Sequence, residues 1–209
     1  MATYRAVEGK LAECQRLIDL SSIRRDFERC KNMCDKLKEG SHGSGYDMVE
    51  IDALATAITV VYARPYNGGV RTRINELFES FSEEEKGFHR QILEMRSKFA
   101  AHSVNRMEQE YVRVWLNPEE KPGGRKINNV NSASNVLLAL SGSEYQRLSE
   151  LCSKSLQWVD HQLDIESKRL PPIILEHFSL DELYEMQDNW VQPAGLESAH
   201  VGRTRLDKS

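Results

Sequence analysis

Arg96 and His102 are the pair of side chains in this sequence whose types best suit chemistry on a phosphate. An arginine guanidinium stays charged and donates bidentate hydrogen bonds to phosphate oxygens. A histidine, with an ordinary pKa of about 6.5, exchanges protons near neutral pH. On one helix the two residues would lie about 120° apart around the axis and about 9 Å apart along it, so they flank a face without stacking. They can therefore act together only on a shared ligand, or with the same residues of a second chain.

A purely structural role explains the same two residues. Apolar residues spaced four, three and four apart form a helical stripe, namely Phe88, Ile92, Met95 and Phe99. The stripe reaches His102 three residues later, and a histidine in that position is usually a core residue. Arg96, at the edge of the stripe, is equally suited to a surface ion pair. Spacing alone therefore leaves both interpretations open.

The elements that would position this pair are helices. Ser82 followed by Glu85 predicts a capping box at the start of the helix that carries Arg96. Apolar residues at three- and four-residue steps predict a core helix from Asp47 to Arg64. Residues 3–20 and 22–39 read as two further helices, with a cap or kink at 19–22 between them.

A β-hairpin insertion is predicted at about 110–140. Residues 110–116 show the alternating pattern of a strand and are rich in β-favouring types, and residues 122–124 interrupt that pattern. Residues 135–140 could pair with the first strand as a second one. A helix from about Glu144 to Lys168 follows, and the pair Pro171 and Pro172 should end it. The sequence thus predicts a mainly α fold: a helical bundle of four to five helices with a small hairpin. We expect one domain over 1–172 and a peripheral tail over 173–209.

The stretch from Asp52 to His102 resembles the HEPN superfamily of helical bundles. A core helix ends in the sequence of residues 62–66, Tyr-Ala-Arg-Pro-Tyr, and a variable linker follows. The next helix ends in Arg96, five residues and His102, which fits that family's R-x(4–6)-H pattern. Ser97 stands where the family often has Asn, Asp or His. The resemblance covers a quarter to a third of the chain.

The resemblance implies a function as well as a fold. Many HEPN proteins are metal-independent endoribonucleases of toxin–antitoxin or phage-defence systems, and they dimerise with their Arg/His motifs facing one another. Others are non-catalytic nucleotide- or RNA-binding modules. By this likeness Arg96 and His102 would be catalytic, while Ser97, Ser103 and Arg64 would help to bind substrate.

Several of these residues also have plainer explanations. Ser97 and Ser103 are of a type that often caps or is solvated at a helix end. Arg64 can compensate the dipole at the end of its helix. His89, one heptad before Arg96, is placed to act as an auxiliary base, but an exposed histidine is the simpler interpretation.

Composition excludes other classes of protein. Four cysteines without an export signal indicate reduced thiols, and Cys30 and Cys34 lack the second Cys/His pair of a zinc site. No apolar run approaches the ~20 residues of a membrane span, which predicts a cytoplasmic protein that does not bind membranes. The net charge of −4 argues against coating nucleic acid, so RNA would need a locally positive cleft.

Two classes of function stay open at this point. The first is a dimeric endoribonuclease or RNA-binding protein that needs neither metal nor cofactor, with an antitoxin or regulatory protein as a further partner. The second is a non-catalytic helical bundle that binds a nucleotide or another protein. In a purely structural bundle of the second class, His102 is a core residue and Arg96 a surface charge.

Overall fold

Helices and one two-stranded sheet make up the part of the chain that the structure describes. This computed structural model describes residues 11–40, 47–66, 71–97, 108–118, 120, 124–136 and 140–186. Its elements in chain order are α1 (Gln15–Gly40), α2 (Met48–Ala63), α3 (Asn75–Glu79), α4 (Glu83–Met95), β1 (Glu108–Leu116), β2 (Ile127–Val136), α5 (Gly142–His177) and α6 (Leu180–Glu185). The predicted fold class, mainly α with a small antiparallel hairpin, is confirmed.

The chain divides into two compact units. The first comprises residues 1–29, 64–80 and 151–209, and the second comprises residues 30–63 and 81–150. Each of the long helices α1 and α5 contributes residues to both. The boundaries at 172 and 173 that the sequence predicted are not tested by this division and stay a prediction.

Buried apolar side chains of α1 form part of the core of the first unit. Leu20, Ile23 and Phe27 follow one another at three- and four-residue steps and are fully buried, as are Leu77 of α3 and Val159 of α5. The short helix α3 was not predicted, because only two of its five residues are apolar.

Helix α1 is continuous where the sequence predicted a break at 19–22. Asp19 is buried, and its carboxylate accepts hydrogen bonds from Gln15 Nε2 and from the backbone N–H of Thr72, both at 2.8 Å. Ser21 donates its hydroxyl to the Leu17 carbonyl, one turn earlier. The polar side chains that resembled a cap are therefore satisfied within a continuing helix, and the predicted cap between two helices is wrong.

Helix α5 also continues past the point where the sequence ended it. It runs to His177 with Pro171 and Pro172 inside it. A small apolar cluster lies on both sides of the proline pair and comprises Leu11, Cys14, Leu17, Leu170, Ile174 and Phe178. Burial of Ile174 and Phe178 in this cluster favours continuation, which offsets the hydrogen bonds that proline cannot donate.

The second unit places α2 and α4 in contact with each other. Ile58 and Tyr62 of α2 and Ile92 of α4 are fully buried, as is Leu148 of α5. Helix α4 begins with the predicted capping box, since the Ser82 hydroxyl accepts from the Glu85 N–H and the Glu85 carboxylate accepts from the Ser82 N–H. The helix that carries Arg96 is therefore fixed both at its start and along its buried side.

The hairpin pairs different residues from those predicted for its second strand. Strand β2 runs from Ile127 to Val136, whereas residues 135–140 were predicted, so only its last two residues agree. Many residues of β2 are asparagine or serine and stay exposed, so they lack the apolar alternation that marks a half-buried strand. Gly124 adopts φ 65° just before Arg125, a backbone conformation that favours glycine.

Candidate functional site

Helix α4 ends at the first residue of the Arg/His pattern. Arg96 is its C-cap, and the Arg96 backbone N–H donates to the carbonyls of Ile92 and Leu93. Its side chain is half-buried, while Ser97 next to it is exposed. Because Phe88 and Ile92 are buried on the same helix, their packing holds the position from which the Arg96 side chain projects.

The Arg96 guanidinium makes no hydrogen bond and no ion pair with any other residue that the structure describes. Arg147, in the same unit, contrasts with it. That guanidinium lies 3.0 Å from the Glu84 carboxylate and 4.5 Å from the centre of the Phe88 ring. A half-buried arginine whose guanidinium has no partner among these residues has donors to offer a ligand, and a phosphate suits their geometry.

His102 and Ser103 lie outside the described residues. The arrangement of Arg96 with His102 therefore stays a prediction from the sequence and its resemblance. The described part of the site consists of the end of α4, with the charge of Arg96 and the exposed hydroxyl of Ser97.

Arg64 lies in a 3-10 turn, Arg64–Tyr66, directly after α2. Its guanidinium is 3.6 Å from the buried carboxylate of Asp26, which also binds Arg71 at 2.6 Å. About half of the Arg64 side chain is exposed, so the long ion pair leaves part of the guanidinium open to solvent. Arg64 belongs to the first unit and Arg96 to the second, and the substrate-binding role of Arg64 stays a prediction.

His89 is buried, so the expectation of an exposed histidine is wrong. Only 4% of the surface of His89 is exposed, and its Nδ1 lies 2.9 Å from the Tyr62 hydroxyl. The rings of Tyr62 and Phe81 both meet it edge-on. Burial, with a smaller contribution from the charge of Arg90, lowers the pKa of His89 to about 4.

A buried neutral histidine is a poor auxiliary base, because it does not titrate near neutral pH and solvent does not reach it. A signal for its burial was present in the sequence. His89 precedes Ile92 by three residues and follows Phe88 directly, so it lies at the edge of the apolar stripe. The buried side of α4 therefore includes His89 as well as the apolar residues of the stripe.

Cys30 and Cys34 lie one helical turn apart on α1 and are fully buried. The hydrogen bond between the two thiols, together with burial, raises the pKa of Cys34 well above its usual range. None of the four cysteines forms a disulfide. No group of three or more His, Cys, Asp or Glu side chains that could hold a metal ion occurs among the residues in the described ranges.

Comparison with known proteins assigns no family to the chain. No protein-family model, no curated protein and no solved structure matches it. Within the part of the chain that the structure describes, no helix has both the length and the apolar character needed to cross a membrane.

A surface on the hairpin was not singled out by the sequence analysis. Five of its aliphatic side chains are 47–70% exposed, namely Val112, Val114, Leu116, Ile127 and Val130. The alternation of Val112, Val114 and Leu116 along β1 was the available signal. This alternation predicts a strand, and it also indicates that one side of the strand is apolar.

Proposed function

We propose that this chain is a HEPN-like RNA-binding protein that cleaves RNA without a metal ion, with Arg96 and His102 as its catalytic residues. The observation that supports this function is the state of Arg96. It lies at the end of a capped helix, half-buried, with no internal partner among the described residues, and next to an exposed serine. Such an arginine is suited to bind a phosphodiester.

The proposed reaction is an internal transesterification. His102 accepts the proton of a ribose 2′-hydroxyl, and the 2′-oxygen forms a bond to phosphorus as the bond from phosphorus to the 5′-oxygen breaks. Arg96 stabilises the charge that builds on the phosphate oxygens. The 5′-oxygen leaves with a proton taken from water, and the other product ends in a 2′,3′-cyclic phosphate. The protonated His102 then returns its proton to solvent. The nucleophile lies within the substrate, so the step needs no divalent ion.

Ser97, Ser103 and Arg64 would add contacts to the RNA backbone in this reaction. A second chain would supply a second Arg96 and His102 to the same cleft, as the resemblance implies. Two arginines in one cleft would give the local positive potential that a chain of net charge −4 otherwise lacks. A cytoplasmic toxin or phage-defence nuclease held in check by an antitoxin or regulatory protein is the biological setting of this proposal.

The second candidate function is non-catalytic nucleotide or RNA binding. It is favoured by the half-buried Arg96, which can bind an anion whether or not a base stands beside it. The described part of the site supplies an anion-binding arginine, and the histidine on α4 is buried with a pKa near 4, so it provides no base there. Binding requires only Arg96, whereas cleavage also requires His102.

Incubation with a mixed RNA pool in EDTA tests the two candidates together. We expect wild-type protein to leave 2′,3′-cyclic phosphate ends, and Arg96→Ala and His102→Ala to lose cleavage by about 100-fold or more, the usual size for a positioned acid–base or charge-stabilising group. Arg90→Ala is the matched control, since it removes the same charge from an exposed position on α4.

Each alternative result has a definite meaning. Cleavage that survives in Arg96→Ala, or that appears only with added magnesium, contradicts the ribonuclease proposal. Saturable mononucleotide binding that is lost in Arg96→Ala but kept in Arg90→Ala, with no cleavage of any RNA, supports the second candidate.

A further inference from the structure

Aliphatic side chains cluster on one face of the hairpin of β1 and β2, beside Ser132, which lies opposite Val112. The antiparallel register pairs Val114 with Val130 and Leu116 with Ile127. Directly opposed residues project to the same face, and residues two apart along a strand do too, so Val112 joins them. We call these five side chains, Val112, Val114, Leu116, Ile127 and Val130, the aliphatic face.

A β-bulge completes this face. Trp115 pairs with Asn129, but Leu116 pairs with Ile127, so Asn128 is the extra residue in β2. Strict alternation from Val130 would instead have placed Asn128 opposite Leu116. The bulge therefore brings an isoleucine onto the aliphatic face in place of an asparagine.

The opposite face of the hairpin carries polar side chains and the partly exposed ring of Trp115. Trp115 donates its indole N–H to Asn131 Oδ1 at 3.0 Å, and the Arg113 guanidinium lies 5.5 Å from the centre of the Trp115 ring. These groups have partners and tolerate water. The two faces therefore differ sharply, and the aliphatic one lacks an evident reason to be exposed.

The aliphatic face is expected to pack against another apolar surface. A two-stranded hairpin alone is marginally stable in water and gains stability when an apolar face packs on something. Its five side chains stay 47–70% exposed in the single chain. Contiguous exposed apolar patches of several hundred Å² usually mark an interface.

We infer that two copies of this chain associate through their aliphatic faces, with the two hairpins packed face to face. A second copy is suited to this place because none of the five side chains is charged, so two sets of them can meet without burying a charge. In such a dimer the two-fold axis would lie between the two faces, parallel to the line that joins Val114 and Val130. Strand β1 would then pack on β1 of the second copy, and β2 on β2.

The available area also fits a second copy. The exposed parts of the five side chains amount to about 500 Å² per copy, and two faces would together bury about 1,000 Å², the lower limit for a specific interface. The aliphatic face alone would thus support a dimer of modest affinity. This inference names a surface for the self-association in our proposed function, but it does not depend on RNA cleavage.

Sedimentation velocity over a range of protein concentrations tests the inference. We expect wild type to dimerise as concentration rises, and Val114→Lys to raise the dimer dissociation constant by about 100-fold or more, because the symmetry buries two like charges. Asn129→Lys adds the same charge to the opposite face and should leave dimerisation unchanged. Circular dichroism establishes that both variants keep the helical fold.

Cysteine cross-linking gives a second readout that does not depend on affinity. All four native cysteines are buried, so an introduced surface thiol is the reactive one. Val114→Cys should form a covalent dimer under mild oxidation, whereas Asn129→Cys should not. Wild type that stays monomeric up to its solubility limit, or a dimer that Val114→Lys leaves intact, would overturn the inference.

RNA cleavage, which tests the ribonuclease proposal, is measured separately from dimerisation. Arg96→Ala should lose cleavage but keep the dimer formed by the aliphatic faces. Val114→Lys, in contrast, should lose that dimer whether or not wild type cleaves RNA. The four combinations of cleavage and dimerisation are therefore distinguishable.

Discussion

Helix α4 and the β1–β2 hairpin belong to the same unit and use their apolar residues in opposite ways. Phe88 and Ile92 of α4 are 5% and 0% exposed, whereas the valines, leucine and isoleucine of the aliphatic face are 47–70% exposed. Helix α4 packs on α2 within the chain. The apolar stripe of α4 therefore stabilises the fold, whereas the apolar face of the hairpin stays exposed in the single chain.

A large-to-small substitution in each region gives the largest expected contrast. Ile92→Ala should lower the free energy of unfolding by about 2–5 kcal/mol, because it leaves a cavity in a fully buried position. Leu116→Ala should change it by less than about 0.5 kcal/mol, since that side chain is 69% exposed. Urea unfolding measures both, at a protein concentration low enough to exclude dimer.

A loss of unfolding free energy in Leu116→Ala close to that in Ile92→Ala would contradict this difference between the two regions. The aliphatic face would then stabilise the single chain, and a second copy would not be needed to cover it. At high protein concentration the two costs should approach each other, because dimerisation stabilises the folded chain by mass action.

The start of α4 could be predicted from the sequence because its signals are local. Ser82 and Glu85 are three residues apart and bind each other's backbone, so no distant partner is needed. The buried positions Phe88 and Ile92 follow from the same helical period. The helix from Asp47 could be predicted for the same reason, and α2 begins within one residue of it, at Met48.

The features that could not be predicted correctly from the sequence depend on partners that are distant along the chain. The continuity of α1 depends on Asp19, whose hydrogen bond comes from Thr72, 53 residues later. The helix through Pro171 depends on a cluster that includes Leu11. The burial of His89 depends on Tyr62, 27 residues earlier. Periodicity within one segment contains none of this information.

An effect of intermediate size is expected from His89, whose burial should make the stability of the fold depend on pH. Its pKa is about 4 in the folded chain and about 6.5 when unfolded, so the unfolded chain binds more protons between these values. Stability contributed by the neutral histidine is complete above pH 6.5 and is lost as pH falls towards 4. Between pH 7.5 and 5 we expect a loss of about 2 kcal/mol.

The control for this effect is an exposed histidine. His89→Gln should remove most of the pH dependence in this window, whatever it does to stability at pH 7.5, while His161→Gln should not alter it, because His161 is exposed on α5. Unfolding free energies at several pH values supply the slope. An unchanged slope in His89→Gln would show that other groups carry the effect and that α4 is not sensitive to the charge of its buried histidine.

The capping box of α4 gives the smallest contrast, and it has an internal control. Ser179 and Glu182 form the same box at the start of α6, a helix of six residues with no buried side chain. Ser82→Ala should cost about 1 kcal/mol, because the lost hydrogen bond begins a helix that is anchored by Phe88 and Ile92. Ser179→Ala should cost a few tenths of a kcal/mol at most in global unfolding, since α6 can fray without exposing a core. Equal costs would mean that α6 unfolds together with the core, and that burial is not what separates the parts of this chain that stabilise the fold from those that do not.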